Sequence, residues 1–229
     1  MIYGYLYQGS GAGNQLHRMV ATRVKALDLG VDFRMIYVPD GSGKVPNFKC
    51  QSFMQFDESK IITEIPQGLK VFNEKKVVEN GVDIRGTDPE YFFIEDNTIL
   101  DGEFQSIDYF GHRIKEIDEW LKVEPLDMPD DLCVIGFRGG EFALFPDLFL
   151  TESYLIDGVS KMREVNEEMR FEVHTDDIET AKNFLNYLVP SDTKFIHDIG
   201  INWRSMRYAK YAIIANSSFY ILPRLLNGG

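Results

Sequence analysis

A short β-rich run, a glycine-rich turn, an amphipathic helix and a second β-rich run fill the first 38 residues. No other feature of the chain narrows its fold as much. Ile2 to Tyr7 reads as a strand and Gly9 to Gly13 as the turn. From Asn14 to Leu29, the apolar residues Leu16, Met19, Val20, Val24 and Leu27 recur at helical spacing, and Gly30 suits the position just past a helix end. Phe33 to Val38 is the second strand. A βαβ unit of this kind favours a parallel sheet.

The alternation weakens between Asp40 and Asn97, which carries Pro39 at its edge and Pro46, Pro66 and Pro89 inside. Short strands are expected at Lys60 to Thr63 and Tyr91 to Glu95, and a helix from Ile107 to Leu121 with Ile114, Ile117 and Leu121 on one face. Two prolines and four acids in Glu124 to Asp131 mark a linker. The alternation then restarts. Strands are expected at Leu132 to Phe137, Phe171 to His174, Lys194 to His197 and Tyr211 to Ala215. Helices are expected at Thr151 to Val165, Asp177 to Leu188, Trp203 to Lys210 and from Ser217 on. This predicts two α/β halves, residues 1–124 and 132–229, with parallel sheets and a ligand in the cleft between them.

Charge and cysteines exclude several classes of function. With 24 Lys and Arg against 36 Asp and Glu, the net charge of −12 repels nucleic acid and anionic lipid. Cys50 and Cys133 are far apart and form no CxxC pair, so neither a disulfide scaffold nor a cysteine zinc site is expected. No run approaches the roughly 18 apolar residues of a membrane span, and the N-terminus has no basic leader pattern. A soluble, cytoplasmic chain is expected.

Four segments could carry chemistry. Gly9 to Gln15 could be a tight strand-to-helix turn or a loop whose amides meet an anion at a helix start. It fails the GxGxxG dinucleotide pattern because Asn14 stands where glycine is required. Gly43-Lys44 fails as a P-loop because positions 38 and 45 are both valine. Arg138-Gly139-Gly140-Glu141 follows a strand, where ligands of parallel sheets bind. The Arg138 fork suits a phosphate, or it pairs with Glu141 at the surface. In Thr175-Asp176-Asp177 the two carboxylates could hold a divalent ion. The preferred reading makes Asp176 a helix cap, with Glu179 completing a capping box. Asn216-Ser217-Ser218-Phe219 places three small polar residues at a helix start, more than a cap needs, and points to a phosphate ligand. His17, His112, His174 and His197 show no ligand spacing and are read as structural. No metal site is expected, and no GxSxG elbow occurs.

Taken in order, these segments resemble the α-1,2-fucosyltransferase family and the wider superfamily of GDP-fucose-dependent transferases. Gly11-Ala12-Gly13-Asn14-Gln15-Leu16 is similar to the family's GxGNQLF block. Asp101 to Phe110 is similar to GYFQSEKYF, and Gly136 to Glu141 stands in the place of HxRRGD. Ser205 to Phe219 is similar to the LMSxCxHxIIANSSFSWW block, and Phe171 to Ala181 lies where the family carries SDDxxWA. The departures are definite. Gly136 replaces the motif's His, Gly139 its second Arg and Glu141 its Asp. His17 replaces a usual Phe, and the closing tryptophans are absent. Relatives continue past the helix in which Gly229 falls, so a C-terminally truncated or divergent member is expected.

The resemblance implies a GT-B-like fold of two Rossmann-like halves, with residues 1–124 as the acceptor side and the nucleotide held mainly by residues 132–229. Arg138 would neutralise the diphosphate, and Asn216, Ser217, Ser218 and Phe219 would line the phosphates. Asp176 would face guanine or ribose. Gly11, Gly13, Asn14 and Gln15 would approach the donor from the first half. Glu141 is the candidate base by position. The implied reaction moves fucose from GDP-fucose to a saccharide hydroxyl with inversion, without metal or resident cofactor. A degenerate member that binds nucleotide or glycan without turnover is the alternative. A nicotinamide or flavin oxidoreductase is opposed by the failed GxGxxG pattern.

Overall fold

The computed structural model describes residues 1–39, 48–79, 82–84, 86–145 and 149–227. Gly43-Lys44 and Gly229 lie outside them. The chain divides into two compact units, Met1–Lys122 and Val123–Gly229.

In the first unit, β1 (Ile2–Tyr7), α1 (Ala12–Asp28) and β2 (Phe33–Val38) form the expected crossover. Gly30 closes α1 with φ +65°, a backbone region that suits glycine. Next come β3 (Ile61–Ile62), β4 (Lys70–Asn73), the antiparallel pair β5 (Val78–Glu79) and β6 (Val82–Asp83), β7 (Thr98–Asp101) and α2 (Ile114–Trp120). The main sheet has the order β3-β2-β1-β7-β4 and is parallel throughout. Chain order reverses between β1 and β7. Ligands of open parallel sheets bind at the carboxyl ends of strands beside such a reversal.

Two expected elements are corrected here. Tyr91–Glu95 is not a strand but part of a 3-10 turn, Pro89–Phe93. The Asp88 carboxylate accepts from the Glu90 amide, Pro89 opens the turn, and the buried Tyr91 hydroxyl donates to the Ala21 carbonyl at 2.8 Å. The single helix expected over Ile107–Leu121 is two 3-10 turns and then α2. Phe110, at φ −143°, breaks the helical path, and its ring is fully buried.

His17 lies buried on α1, with its Nδ1–H donating to the Gly13 carbonyl at 3.0 Å and its ring edge-on to Phe110. Burial lowers its pKa to about 4. A base depressed below its unfolded value of about 6.5 contributes no pH penalty above that value. Below it the unfolded chain takes up a proton that the folded chain refuses, so stability falls as pH drops towards 4. The unfolding free energy is expected to lose roughly 2.5 kcal/mol from this residue between pH 7.5 and 4.5. Urea unfolding of His17→Phe at the two pH values checks it: an acid-side loss as large as that of the unmodified chain would refute the assignment.

The second unit contains β8 (Leu132–Phe137), α3 (Glu152–Val165), β9 (Arg170–Thr175), α4 (Ile178–Leu185), β10 (Lys194–Ile196), α5 (Ile199–Tyr208), β11 (Tyr211–Ile214) and α6 (Ser218–Leu225). Its four strands run parallel in the order β10-β9-β8-β11. Strand β8 is buried along its whole length, as expected of a continuous apolar run covered on both faces. Cys133, Ile135 and Phe137 pack with Leu155, Val159, Ala181 and Leu185. Burying each Val, Leu, Ile or Phe side chain of this set stabilises the fold by roughly 1.5–3 kcal/mol. On the other face Gly136 meets Met206 and Tyr220. Chain order reverses between β8 and β11. Both units are therefore Rossmann-like. No helix among the described residues is long and apolar enough to cross a membrane. Cys50 and Cys133 are free and buried, and burial pushes both thiols up.

Candidate functional site

In the second unit the ladder sets three loops at one level. Phe137 pairs with Thr175 and Gly136 with Ile214, and the Ala215 amide donates to the Gly136 carbonyl at 2.8 Å. Continued past the strand ends, this register brings Arg138 after β8, Asp176 after β9 and Asn216, two residues beyond β11, to one level. They lie at the carboxyl edge of the sheet, around the reversal between β8 and β11.

Arg138 Nε lies 3.0 Å from Asp176 Oδ2, and an Arg138 terminal nitrogen lies 3.7 Å from Glu141 Oε1. The guanidinium carbon stands 4.9 Å from the Phe142 ring centroid. The Arg138 side chain is 21% exposed, so the fork is held but still reachable, whereas Glu141 is 70% exposed. The Nε contact is an ion pair without hydrogen-bond geometry, and the guanidinium keeps its donors for a bidentate oxyanion.

The structure corrects the expected cap. Asp177, not Asp176, caps α4: its carboxylate accepts from the Thr180 amide at 3.0 Å and the Thr180 hydroxyl at 2.8 Å. These bonds hold the Asp177 carboxyl below the usual carboxylate range. Asp176 is thereby released to Arg138, and its other oxygen accepts from the Gly139 amide at 2.9 Å. Asp177→Ala is expected to lower the melting temperature and leave nucleotide affinity unchanged. Asp176→Ala should reverse that pattern. Thermal unfolding and calorimetry on the two variants check both.

At α6, Ser217 is an ordinary N-cap whose hydroxyl oxygen accepts from the Phe219 amide at 3.3 Å. The Phe219 ring is buried against Trp203, so that side chain belongs to the core and not to a ligand surface. Asn216 is exposed and Ser218 half-buried at the helix start. Tyr220 is the residue that sequence reasoning missed. Its hydroxyl donates to the His174 carbonyl at 2.8 Å, with the Phe137 carbonyl at 3.4 Å, tying the ends of β8 and β9 together beneath Arg138 and Asp176. Burial pushes its hydroxyl well above the ordinary range. His174 is a core histidine, Nδ1 to Asn202 Oδ1 2.9 Å.

The first-unit residues gather separately. Gly11 precedes α1 as its cap, and Gly13 and Asn14 lie in the first turn. Gln15 is turned inward: it is buried, and its Oε1 accepts from the Lys49 amide at 2.9 Å. Asn14 Oδ1 accepts from Gln105 at 3.0 Å, which joins the glycine turn to the Asp101–Phe110 segment. Arg18 organises this edge, donating to the Gly102 carbonyl at 2.8 Å, to the Ser10 hydroxyl at 2.9 Å and to Glu103 at 2.6 Å. A cation amid the apolar spacing of α1 was the one signal in the sequence that could have flagged it. Among the described residues no cluster of three or more His, Cys, Asp or Glu side chains is placed to hold a metal ion.

No protein-family model matches the sequence. No curated protein matches it either. Solved structures do. The chain is similar to NodZ α-1,6-fucosyltransferase soaked with GDP-fucose, at 13% identity and a TM-score of 0.55, over 98% of this chain and 92% of that one. It is also similar to POFUT1 in complex with GDP, at 11% identity and a TM-score of 0.52, over 98% of this chain and 93% of that one. At such identities the likeness is one of fold, and that fold is the GT-B-like pairing of two Rossmann-like units.

Proposed function

We propose that the chain is a glycosyltransferase that moves fucose from GDP-fucose to a hydroxyl of a saccharide, with inversion at the anomeric carbon. The observation that carries this reading is the Arg138 fork, held by Asp176 beside the start of α6 at the reversal between β8 and β11. That arrangement sets a guanidinium fork and the amides of a helix start where a diphosphate would lie. The fold shared with two fucosyltransferases supports the choice of donor.

In the proposed reaction the acceptor oxygen attacks the anomeric carbon, and the bond from that carbon to the β-phosphate oxygen breaks. GDP leaves with the electron pair. Arg138 and the α6 helix start stabilise the charge that grows on it, in place of a metal ion or resident cofactor. Glu141, three residues beyond Arg138, is the candidate to receive the hydroxyl proton. Asp176 acts by positioning Arg138, and Asn216 and Ser218 line the phosphates.

A second reading, binding without turnover, is favoured by one observation. The Tyr220 ring fills the space above Gly136 where the resembling family carries histidine, and Gly139 supplies no second guanidinium. Thermal shift with GDP, GDP-fucose, UDP and NAD comes first. A ligand at a hundred times its dissociation constant stabilises by about 2.7 kcal/mol. Stabilisation by the GDP compounds alone, with GDP released when saccharides are added, supports the transferase. The same stabilisation without release supports the second reading. A response to NAD or UDP alone refutes both.

A further inference from the structure

We propose that Asn202 and Tyr220, with the buried His174 ring, are positioning residues for the Arg138–Asp176 pair: from α5 and α6 they fix the last two carbonyls of β9, and so the carboxylate that follows. That the pair serves a nucleotide rests on the transferase reading; that it is positioned in this way does not.

Asp176 is the first residue past β9, and its carboxylate has two tasks. Oδ2 pairs with Arg138 at 3.0 Å, and Oδ1 accepts from the Gly139 amide at 2.9 Å. A side chain just past a strand end is only as well placed as the backbone that carries it. The residue after Asp176 is held locally: the Thr175 hydroxyl accepts from the Asp177 amide at 3.0 Å and donates to the Asp177 carbonyl at 3.1 Å. The two residues before it are held from the helices. The Tyr220 hydroxyl donates to the His174 carbonyl at 2.8 Å, and Asn202 Nδ2 donates to the Thr175 carbonyl at 3.4 Å. His174 and Thr175 are fully buried, and Tyr220 and Asn202 are 1% and 5% exposed. Low local dielectric strengthens such bonds, and little water reaches them to compete.

The His174 ring shows that this arrangement is specified and not mere filling. An amide side chain has one donating and one accepting end. The Thr175 carbonyl only accepts, so Asn202 turns its nitrogen to it and its Oδ1 to the ring, where His174 Nδ1–H donates at 2.9 Å. Nδ1 therefore carries a hydrogen. Nε2 is left in the core without a hydrogen-bond partner among the described residues, and Glu172 Oε2 stands 3.7 Å away. An apolar side chain at position 174 would avoid the cost of that orphaned nitrogen. What the imidazole supplies in return is one hydrogen bond, and that bond orients the Asn202 amide for Thr175. A side chain that only fills space needs no such bond.

The test compares Asn202→Ala and Tyr220→Phe with Val159→Ala, a core variant on α3 outside this network. Two quantities are read on the full chain: hydrogen exchange of the Gly139 amide without ligand, by NMR, and GDP affinity, by calorimetry. Each positioning variant is expected to speed Gly139 exchange and to weaken GDP binding, both about tenfold. Val159→Ala is expected to lower the melting temperature and change neither. Added to Asp176→Ala, neither positioning variant should weaken GDP further, because both act through that carboxylate. Tyr220→Phe removes a single oxygen atom and carries the test if Asn202→Ala does not fold. The inference is overturned if the positioning variants match Val159→Ala in Gly139 exchange, or if their losses of GDP affinity persist in full without Asp176. If they speed Gly139 exchange but the unmodified chain binds no GDP, the positioning stands and the transferase reading falls. If Arg138→Ala weakens GDP binding and the positioning variants do not, the inference alone falls.

Discussion

Replacing Arg138 by alanine is expected to weaken GDP binding by roughly 30- to 300-fold, about 2–3.4 kcal/mol. The size follows from the geometry. The guanidinium is ion-paired with Asp176 at 3.0 Å and keeps its donors for a bidentate diphosphate contact. Its removal deletes two charge-assisted hydrogen bonds. It also leaves the Asp176 and Glu141 carboxylates facing the ligand with no cation between them. Arg138→Lys keeps the charge but loses the fork, and should recover only part of the affinity. Arg163→Ala is the control. Arg163 is exposed on α3 and donates to the Leu188 carbonyl at 3.0 Å, so its loss should leave GDP affinity unchanged. Calorimetry at fixed salt reads all three; equal affinities for the Arg138 and Arg163 alanine variants would sink the phosphate-site assignment.

Gly136→His is expected to be the most destabilising single change at this site. The position is buried on β8, and even a methyl group there would come within 2.9 Å of Met206 Cε and 2.9 Å of Tyr220 Cγ. Overpacking of that kind costs about 1–3 kcal/mol for a small intrusion, and an imidazole intrudes much further. Displacing Tyr220 would also break the hydroxyl bonds that tie β8 to β9. Combining Gly136→His with Tyr220→Ala should recover part of the lost stability, because the two side chains compete for one space. Denaturant unfolding of the two single variants and the double variant reads this directly. Additive losses would show that Tyr220 is not what fills the histidine's place.

The expected elements that formed where read share one physical trait. Ile2–Tyr7, Phe33–Val38 and Leu132–Phe137 are apolar runs dense enough for a buried parallel strand, and each forms over those residues. The misses share another. Lys70–Asn73 is a mostly exposed edge strand with no apolar run, so nothing local announced that it pairs with β7. Tyr91–Glu95 has strand-forming aromatics, but the capping carboxylate of Asp88 and the seat of Tyr91 under α1 outweigh that propensity. Local sequence pointed to Asp176 as the cap of α4, whereas Asp177 caps it. The choice was made by the ion pair with Arg138, 38 positions earlier in the chain.

Local patterning alone was enough to determine the alternation of strands and helices, the glycine at the end of α1 and the placing of Arg138 and Asn216 just past strand ends. Each depends on the spacing of neighbours within a few residues. Only the tertiary structure decided which loops share an edge, that Asp176 serves Arg138, that Tyr220 occupies the space over Gly136, and that Glu74 holds Phe104 in a strained turn. Those contacts join residues about 30 to 80 positions apart. Their strength comes from desolvated, fixed geometry, which no local window of sequence contains.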